Sequence, residues 1–586
     1  MSNTPEELCF RASPRSHWRF DPAGSITALP HLTGGGVLLE MSTFFGAFSL
    51  TTWCGNAGID DVTVQVRFKG SCTMRIFEDD GYRGRTLMWQ DRVSSDSNEP
   101  ISITLKALTG MQGILFPVFE VYQGDELELI SVEYLTSAEP RHDPCLAIVM
   151  PTYKRESYAL KNINLISKEV LSTSDGNCHL FVIDNAGTLD CPEMKGVTLH
   201  LNRNFGGSGG FARGVLEVSR SEKQFTNILF CDDDVSIATQ SINRLLSLLR
   251  YLDSNSVVTG GMLKMSSKRI LHEKNANVKG MRFSSNRGNN DMDSVEAVAR
   301  YDEVGFSTFC GWWFACYPLG ENNALPLPYP FFVGWDDVEM GRRCNRAGLK
   351  SLSMLGVAVW HEEFEKKDVA WRWFYHTRNG IVTNMLYDKS RRSLKQSIVE
   401  IMTALLTYRY DRAEFMIDGL VAVSNPVKSI KENPADELHS RLMARPQAKL
   451  QDARQMVIPG RLWHQPAAGR WTKLATRLTM NGHLIPRILF KTADEPVDAG
   501  WGVEELHSNR LVTIFRCPQV VYFEPTSGKG IVCRVDHQRF FKLLVRMLGA
   551  WWSLRLNWRA VQAKWRLAHD EMTTAKFWSG YLGLDK

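Results

Sequence analysis

The sequence has no Cys-x-x-Cys pair, no uninterrupted apolar run of membrane-spanning length, and almost no charge surplus. Its 69 basic and 64 acidic residues leave a net charge of only +5 over 586 residues. Each absence removes a class of protein. The twelve cysteines are scattered, which argues against zinc ribbons and thioredoxin-like redox sites and suits a reducing compartment. A spanning helix needs about 20 mostly apolar residues, and the longest uncharged candidate, Met41–Ile59, is interrupted by Ser, Thr, Gly and Asn. A near-neutral chain gives no electrostatic footprint for nucleic acid. The opening MSNTPEELCF has two glutamates and neither a basic nor an apolar region, so no secretory leader is expected. The expected address is the cytoplasm. The 44% hydrophobic and 23% charged fractions exclude collagen-like and disordered classes and leave a folded, multidomain protein.

Three compositional regimes follow one another. Residues 1–140 hold short alternating strands (VTVQVRF, CTMRIFE, ISITLKAL, ILFPVFEVY, LELISVEY) separated by turn-rich DDGYRGR and SSDSNEP. This pattern predicts a β-sandwich or barrel, an architecture that carbohydrate-binding modules share with many other proteins. From 141 to 380 apolar strands alternate with helical text: CLAIVM, CHLFVID, VTLHL and NILFC. Unbroken apolar strands of this kind predict a mostly parallel sheet covered on both faces. From 381 to 586 the text is mostly helical and basic, with one β-like patch, LVTIFRCPQVVYFEP. The expected fold is thus multidomain α/β, with a β module, a Rossmann-like central domain and a helical C-terminal region.

In open parallel sheets, ligands sit outside the carboxyl ends of the strands. Four strand ends in turn present Pro151–Arg155, Asp184–Asn185, Asn202–Phe211 and Asp232–Asp234. The glycine run Gly206–Gly210 lacks the Gly-Lys-Ser/Thr end of a P-loop. It fits G-x-G-x-x-A through Gly207, Gly209 and Ala212, but after the third strand rather than the first, which disfavours a dinucleotide fold. Asp232 and Asp234 are two apart, so on an extended segment both carboxylates point one way and can meet one hard cation. Asp336 and Asp337 open a helix about a hundred residues later. One can cap the helix, and the second could serve as a general base. His361 closes the following strand and reads equally as a packed histidine or a ligand.

An apolar strand followed by PTYKR, a VIDNAG strand end, Asp-x-Asp and Asp-Asp-x-Glu-x-x-x-Arg together resemble the family 2 glycosyltransferases of GT-A fold. Within them, NFGGSGGFARG, CDDDV, CGWWF, FVGWDDVEMGRR and VWHEEF are similar to the galactan-polymerising galactofuranosyltransferases. The motifs cover roughly residues 145–380. The resemblance implies a UDP-sugar donor held by Arg155, Asp184, Asn204, Gly207 and Asp233. It implies a divalent metal on Asp232, Asp234 and His361, Asp337 as catalytic base, and Asp336, Trp312 and Trp313 on the acceptor side. A nitrogen ligand beside two carboxylates tilts the metal from Mg²⁺ toward Mn²⁺. The implied reaction is inverting transfer of galactofuranose to a lipid-linked glycan in cell-envelope polysaccharide synthesis. Self-association is left open. A transferase of the same fold using another nucleotide sugar, such as a rhamnose donor, fits the same motifs. A non-catalytic glycan-binding protein fits less well, since a binder has no use for a metal and a base together.

The C-terminal text adds a membrane expectation. No acid stands between Asp536 and Asp570, while Trp551, Leu554, Trp558, Val561 and Trp565 recur at helical spacing, with Arg555, Arg559 and Arg566 on one border. Such a stripe predicts an in-plane helix on an anionic surface, hence peripheral attachment to the cytoplasmic face of the membrane. The competing reading is that the stripe is core.

Overall fold

The computed structural model describes residues 7–11, 31–33, 37–96, 99–253, 255–286, 288–303, 307–321, 325–362, 369–454, 469–490, 501–525 and 527–585. They form two compact units. The first comprises Met1–Val278, Phe283–Pro328 and Asp337–Glu363, and the second Lys279–Arg282, Tyr329–Asp336 and Phe364–Lys586.

The first unit holds both the β-rich start and the central sheet. Its N-terminal sheet has nine antiparallel strands built around one long strand, Val62–Asp79. Text that reads as two strands, VTVQVRF and CTMRIFE, is this single strand. It changes partners along its length, pairing first with Ile101–Leu105 and Glu126–Thr136, then with Arg85–Ser95 and Ile114–Val121. Gly70 stands at the change-over with φ +101°, where a Cβ would lie 1.8 Å from the Glu126 carbonyl oxygen. Only glycine fits there. The sheet curls around Val64, Val66, Phe68, Met74, Phe116 and Tyr134, all fully buried.

The central sheet orders its strands Val197–Leu201, Cys178–Asp184, Leu146–Thr152, Asn227–Cys231, Phe314–Pro318, Ser256–Lys264, Lys350–His361 and Ser236–Ile237. The first four run parallel. Phe314–Pro318 is antiparallel to both neighbours, and Ser256–Lys264 is parallel to Lys350–His361. Helices Glu156–Ile166, Gly206–Arg220 and Thr239–Leu249 cover it. The sequence boundary at 140 separates two sheets that share one core. Buried Arg244 donates Nη2 to the Phe45 carbonyl and Nη1 to that of Gly356, each at 2.9 Å, tying the two sheets together.

The second unit is mainly helical, with Arg372–Tyr387, Tyr410–Ala422 and His537–Leu556 among its longer helices. The β-like patch shortens to Gln519–Glu524, the centre of a four-stranded sheet with Gly502–Glu505, Lys529–Arg534 and Gln451–Asp452. The tryptophan stripe expected to face a membrane is core. The helix breaks at Asn557, so Trp551 and Leu554 lie near the end of one helix while Trp558, Val561 and Trp565 belong to the next, Trp558–Met572. Leu554, Trp558, Val561 and Trp565 are buried, the fifth residue of the stripe, Trp551, is half-buried, and the Trp565 indole donates to the Val423 carbonyl at 2.6 Å. Among the described residues, no helix is long and apolar enough to cross a membrane.

Candidate metal and nucleotide site

The central sheet gathers the candidate residues at the carboxyl ends of its strands. Ser236–Ile237 pairs antiparallel with Val359–Trp360, and Lys264 lies opposite His361 in register. These pairings bring the turn after Asn227–Cys231 against the end of Lys350–His361. As a result Asp232, Asp234 and His361 each offer a ligand atom, and the three atoms lie within 4.8 Å of one another. His361 Nε2 is 3.1 Å from Asp234 Oδ1, and its Nδ1 faces the Glu362 carbonyl oxygen. A carbonyl can only accept, so the proton is assigned to Nδ1, which leaves the Nε2 lone pair for a cation in the neutral ring. Two carboxylates and one imidazole make a donor set that suits a divalent first-row metal. The residues fit the ion.

The electrostatics agree. Burial and the charge of Asp234 push the Asp232 carboxyl up to about 7. Burial opposes charge on His361, but its hydrogen bond to Asp234 and the charges of Asp234 and Asp232 outweigh that and raise it. Negative charge is crowded here, and Arg155 answers it. Its Nη1 pairs with Asp234 and, at 3.2 Å, with Asp233. Asp233 is fixed from behind, accepting from Thr152 Oγ1 at 2.6 Å.

The other predicted donor residues occupy the next two strand ends. Asp184 is buried, and its oxygens accept the Ala186 and Leu189 amides at 2.8 Å, building its own turn. Asn204 Oδ1 accepts the Gly206 amide at 3.2 Å. The glycine run forms the first turn of helix Gly206–Arg220, with Gly207 half-buried within it. Glycine is a poor helix former, but here close packing selects it. A Cβ on Gly210 would lie 2.5 Å from Pro151 Cβ, and one on Gly214 2.1 Å from Val149 Cγ1. An alanine in a helix ordinarily stabilises by up to ~1 kcal/mol over glycine. At Gly214 the sign should reverse, with Gly214→Ala costing about 1–3 kcal/mol through overpacking. A urea midpoint equal to or above that of the parent would overturn this reading of Gly214.

Trp312 and Trp313 are each 6% exposed, so the structure places them in the core, where little of either ring faces outward. The Trp312 indole donates to the Tyr317 hydroxyl and that of Trp313 to the Gly260 carbonyl, both at 3.0 Å. Trp312 packs edge-on against Phe211 and Phe230.

Asp336 and Asp337 open helix Asp336–Arg346 as expected. Asp336 is buried, whereas Asp337 is half-buried with Oδ1 2.7 Å from the Val338 amide. The chain reaches them through three residues with positive φ: Phe332 (75°), Gly334 (73°) and Trp335 (70°). Two of these are bulky, and such strain persists only where surroundings enforce it. Asn379 supplies much of that enforcement, with Nδ2 within 3.2 Å of the carbonyl oxygens of Phe331, Val333 and Gly334. Sequence reasoning missed Asn379, and also Asn162, whose Nδ2 donates to the Asp233 and Val235 carbonyls at 2.9 Å. The available signal was an amide on the apolar face of a helix, where Asn162 sits among Ala159, Ile163 and Ile166.

No family model matches the chain. Its sequence relatives are glycosyltransferases. Specifically, it is similar to the galactofuranosyltransferase GlfT2 of Mycolicibacterium smegmatis, 24% identical over 378 residues that cover 60% of this chain and 58% of that protein. It is also similar to GlfT2 of Mycobacterium tuberculosis, 21% identical over 457 residues, covering 72% and 71%. The chain thus spans little more than half the length of the first relative. Among solved structures, it is similar to a mannosyltransferase from Pyrobaculum calidifontis in complex with GDP-Man and Mn²⁺ (15% identity, TM-score 0.28, 52% of this chain and 81% of that one). A second is GalNAc-T7 with UDP, GalNAc and Mn²⁺ (12% identity, TM-score 0.32, 53% and 60%).

Proposed function

We propose that the chain is an inverting, metal-dependent glycosyltransferase that moves galactofuranose from UDP-galactofuranose to a hydroxyl of a lipid-linked glycan, at the cytoplasmic face of a membrane. The observation that carries this reading is the Asp232–Asp234–His361 cluster, set at the strand ends of a chain similar to galactofuranosyltransferases. When bound there, Mn²⁺ or Mg²⁺ would neutralise charge on the departing diphosphate. The chain's own groups do the rest. Arg155, the cation already against Asp233 and Asp234, orients the diphosphate. Asp184, Asn204 and Gly207 border the donor, and the amino end of helix Gly206–Arg220 favours its negative charge.

Asp337 takes the proton of the acceptor hydroxyl as that oxygen attacks the anomeric carbon from the face opposite the leaving group. One displacement without a covalent intermediate inverts the configuration. Asp336 belongs to the acceptor side, and Asn379 acts through the 331–335 turn as a positioning residue.

Nucleotide, metal and base requirements are shared by transferases of many sugars, so the donor is decided by experiment. Purified protein with Mn²⁺ and a panel of UDP- and dTDP-sugars should extend a glycan acceptor from UDP-galactofuranose alone, read by mass spectrometry. Transfer from dTDP-rhamnose instead would replace the donor assignment and keep the mechanism.

A further inference from the structure

The second unit holds a cavity of about 590 Å³ that shares no residue with the metal and nucleotide site. That volume lies in the range of small-molecule sites. Helices Tyr410–Ala422 and His537–Leu556 both begin at its wall, which Tyr410 and Asp536 help to form. The amino ends of helices favour negative charge. Four arginines, Arg409, Arg412, Arg534 and Arg539, line the same space, against two acids, Asp411 and Asp536.

The acids are already engaged. Asp411 accepts from Arg539 Nη2 and from the Ala448 amide, each at 2.7 Å. Asp536 caps its helix by accepting the Arg539 amide at 2.9 Å. Arg539 also pairs with Glu414 at 2.8 Å. Nothing comparable answers Arg409. It is 7% exposed, and its Nη2 is spent on the carbonyl oxygens of Leu506 and Ser508, at 2.6 and 3.3 Å. Its Nη1 makes no hydrogen bond, and among the described residues it has no carboxylate partner. Arg534 is exposed, gives Nε to Gln519 Oε1 at 2.7 Å, and likewise has no carboxylate partner among the described residues.

A buried cation without a counter-ion is costly, and an anion in the adjoining cavity would offset that cost. Two of the guanidinium planes are held in place by stacking. Arg409 lies 3.8 Å from the Tyr522 ring centre and Arg412 3.3 Å from that of Trp373. The planar fork of arginine matches phosphate oxygens, and planes fixed beforehand lose little freedom on binding.

We propose that this cavity binds a small phosphate-bearing molecule, whose negative charge answers Arg409 and Arg534 at the amino ends of the two helices. Charge selects this class of ligand. A metal ion or a neutral sugar would leave Arg409 unanswered, and both acids on the wall already have partners. Apolar Ile531, Val532 and Ala370 stand beside the arginines, so the wall accommodates the carbon portion of a phosphate ester as well as the anion.

The test is isothermal titration of the full chain with inorganic phosphate, inorganic diphosphate and UDP in excess EDTA, with chloride at matched ionic strength as the control. It reads binding rather than turnover, so it succeeds or fails independently of the transferase reading. At least one of the three should bind saturably and raise the melting temperature, and the tightest of them names the source of the phosphate. Arg534→Gln, at an exposed position, should weaken binding by roughly tenfold, as expected for one charge-assisted contact. Arg409→Gln should abolish the phosphate-dependent rise in melting temperature, and Arg409→Lys, which keeps the charge, should retain part of it. Because Arg155 also meets a diphosphate in the proposed mechanism, each titration is repeated with Arg155→Gln, where the Arg534-dependent binding should persist. Binding that Arg155→Gln removes and Arg534→Gln leaves untouched belongs to the metal and nucleotide site and overturns the proposal. So does the absence of saturable binding by all three, or an equal response to chloride.

Discussion

Asp337→Asn is expected to lower turnover by roughly 10²–10⁴-fold, the range attributed to general bases, while nucleotide affinity stays near that of the parent. The substitution keeps shape and the acceptor oxygen facing the Val338 amide, an oxygen 2.7 Å away, so the helix start should survive. What it removes is the capacity to take a proton. Asp336, the more deeply buried of the pair, gives the contrast. Asp336→Asn should damage stability or acceptor affinity more than the chemical step. The measurements are single-turnover rates with saturating donor, alongside equilibrium binding of UDP. If Asp336→Asn is the lethal change and Asp337→Asn the mild one, the roles are reversed. Asn379→Ala offers a check from behind the site. Losing the amide that holds the carbonyls of Phe331, Val333 and Gly334 should relax the strained turn and reduce kcat without altering the pH at which the base titrates.

How far the sequence disclosed this site depends on where each residue's partners lie. Asp232, Asp234 and His361 were legible because buried strands read as apolar runs, and a polar residue at the end of such a run stands at the sheet's ligand-binding edge. What joins them was not legible. The two-residue pairing of Ser236–Ile237 with Val359–Trp360 has no periodic signature, nor does the antiparallel insertion of Phe314–Pro318 among parallel strands. The glycine run hides its conformation in the sequence. Local propensity argues against a helix at Gly206–Gly210, and the approach of Pro151 to Gly210, like that of Val149 to Gly214, explains why glycine is used in this helix all the same. At the C-terminus, amphipathic spacing correctly located helical text. It could not show that Asn557 splits the helix, nor which of two apolar faces the rest of the unit would cover. Leu554 and Trp552 are equally apolar in sequence; packing buries the first and leaves the second exposed.

Metal binding should separate the site's charges from its fold. In the metal-free protein, burial and Asp234 raise the Asp232 carboxyl from its ordinary value near 3.8 to about 7. Across that window the folded state holds more protons than the unfolded chain, so this group's contribution makes stability fall as pH rises from about 3.8 to about 7. His361, also raised, must lose a proton before Nε2 can bind a cation. Both effects act the same way on the ion: affinity for Mn²⁺ should climb as pH rises through about 7. Saturating Mn²⁺ should raise the melting temperature of the parent, since a ligand at a hundred times its Kd stabilises by about 2.7 kcal/mol. Asp232→Asn removes a charge that the folded state holds at a cost. Its metal-free melting temperature should therefore equal or exceed the parent's, while the Mn²⁺-dependent rise disappears and transfer is lost. Excess EDTA should abolish transfer by the parent, and added Mn²⁺ should restore it. A purely structural role for Asp232 gives the opposite pattern, a variant that melts lower and still responds to Mn²⁺. Full transfer in excess EDTA, with no metal retained by elemental analysis, would remove the metal from the proposed mechanism altogether.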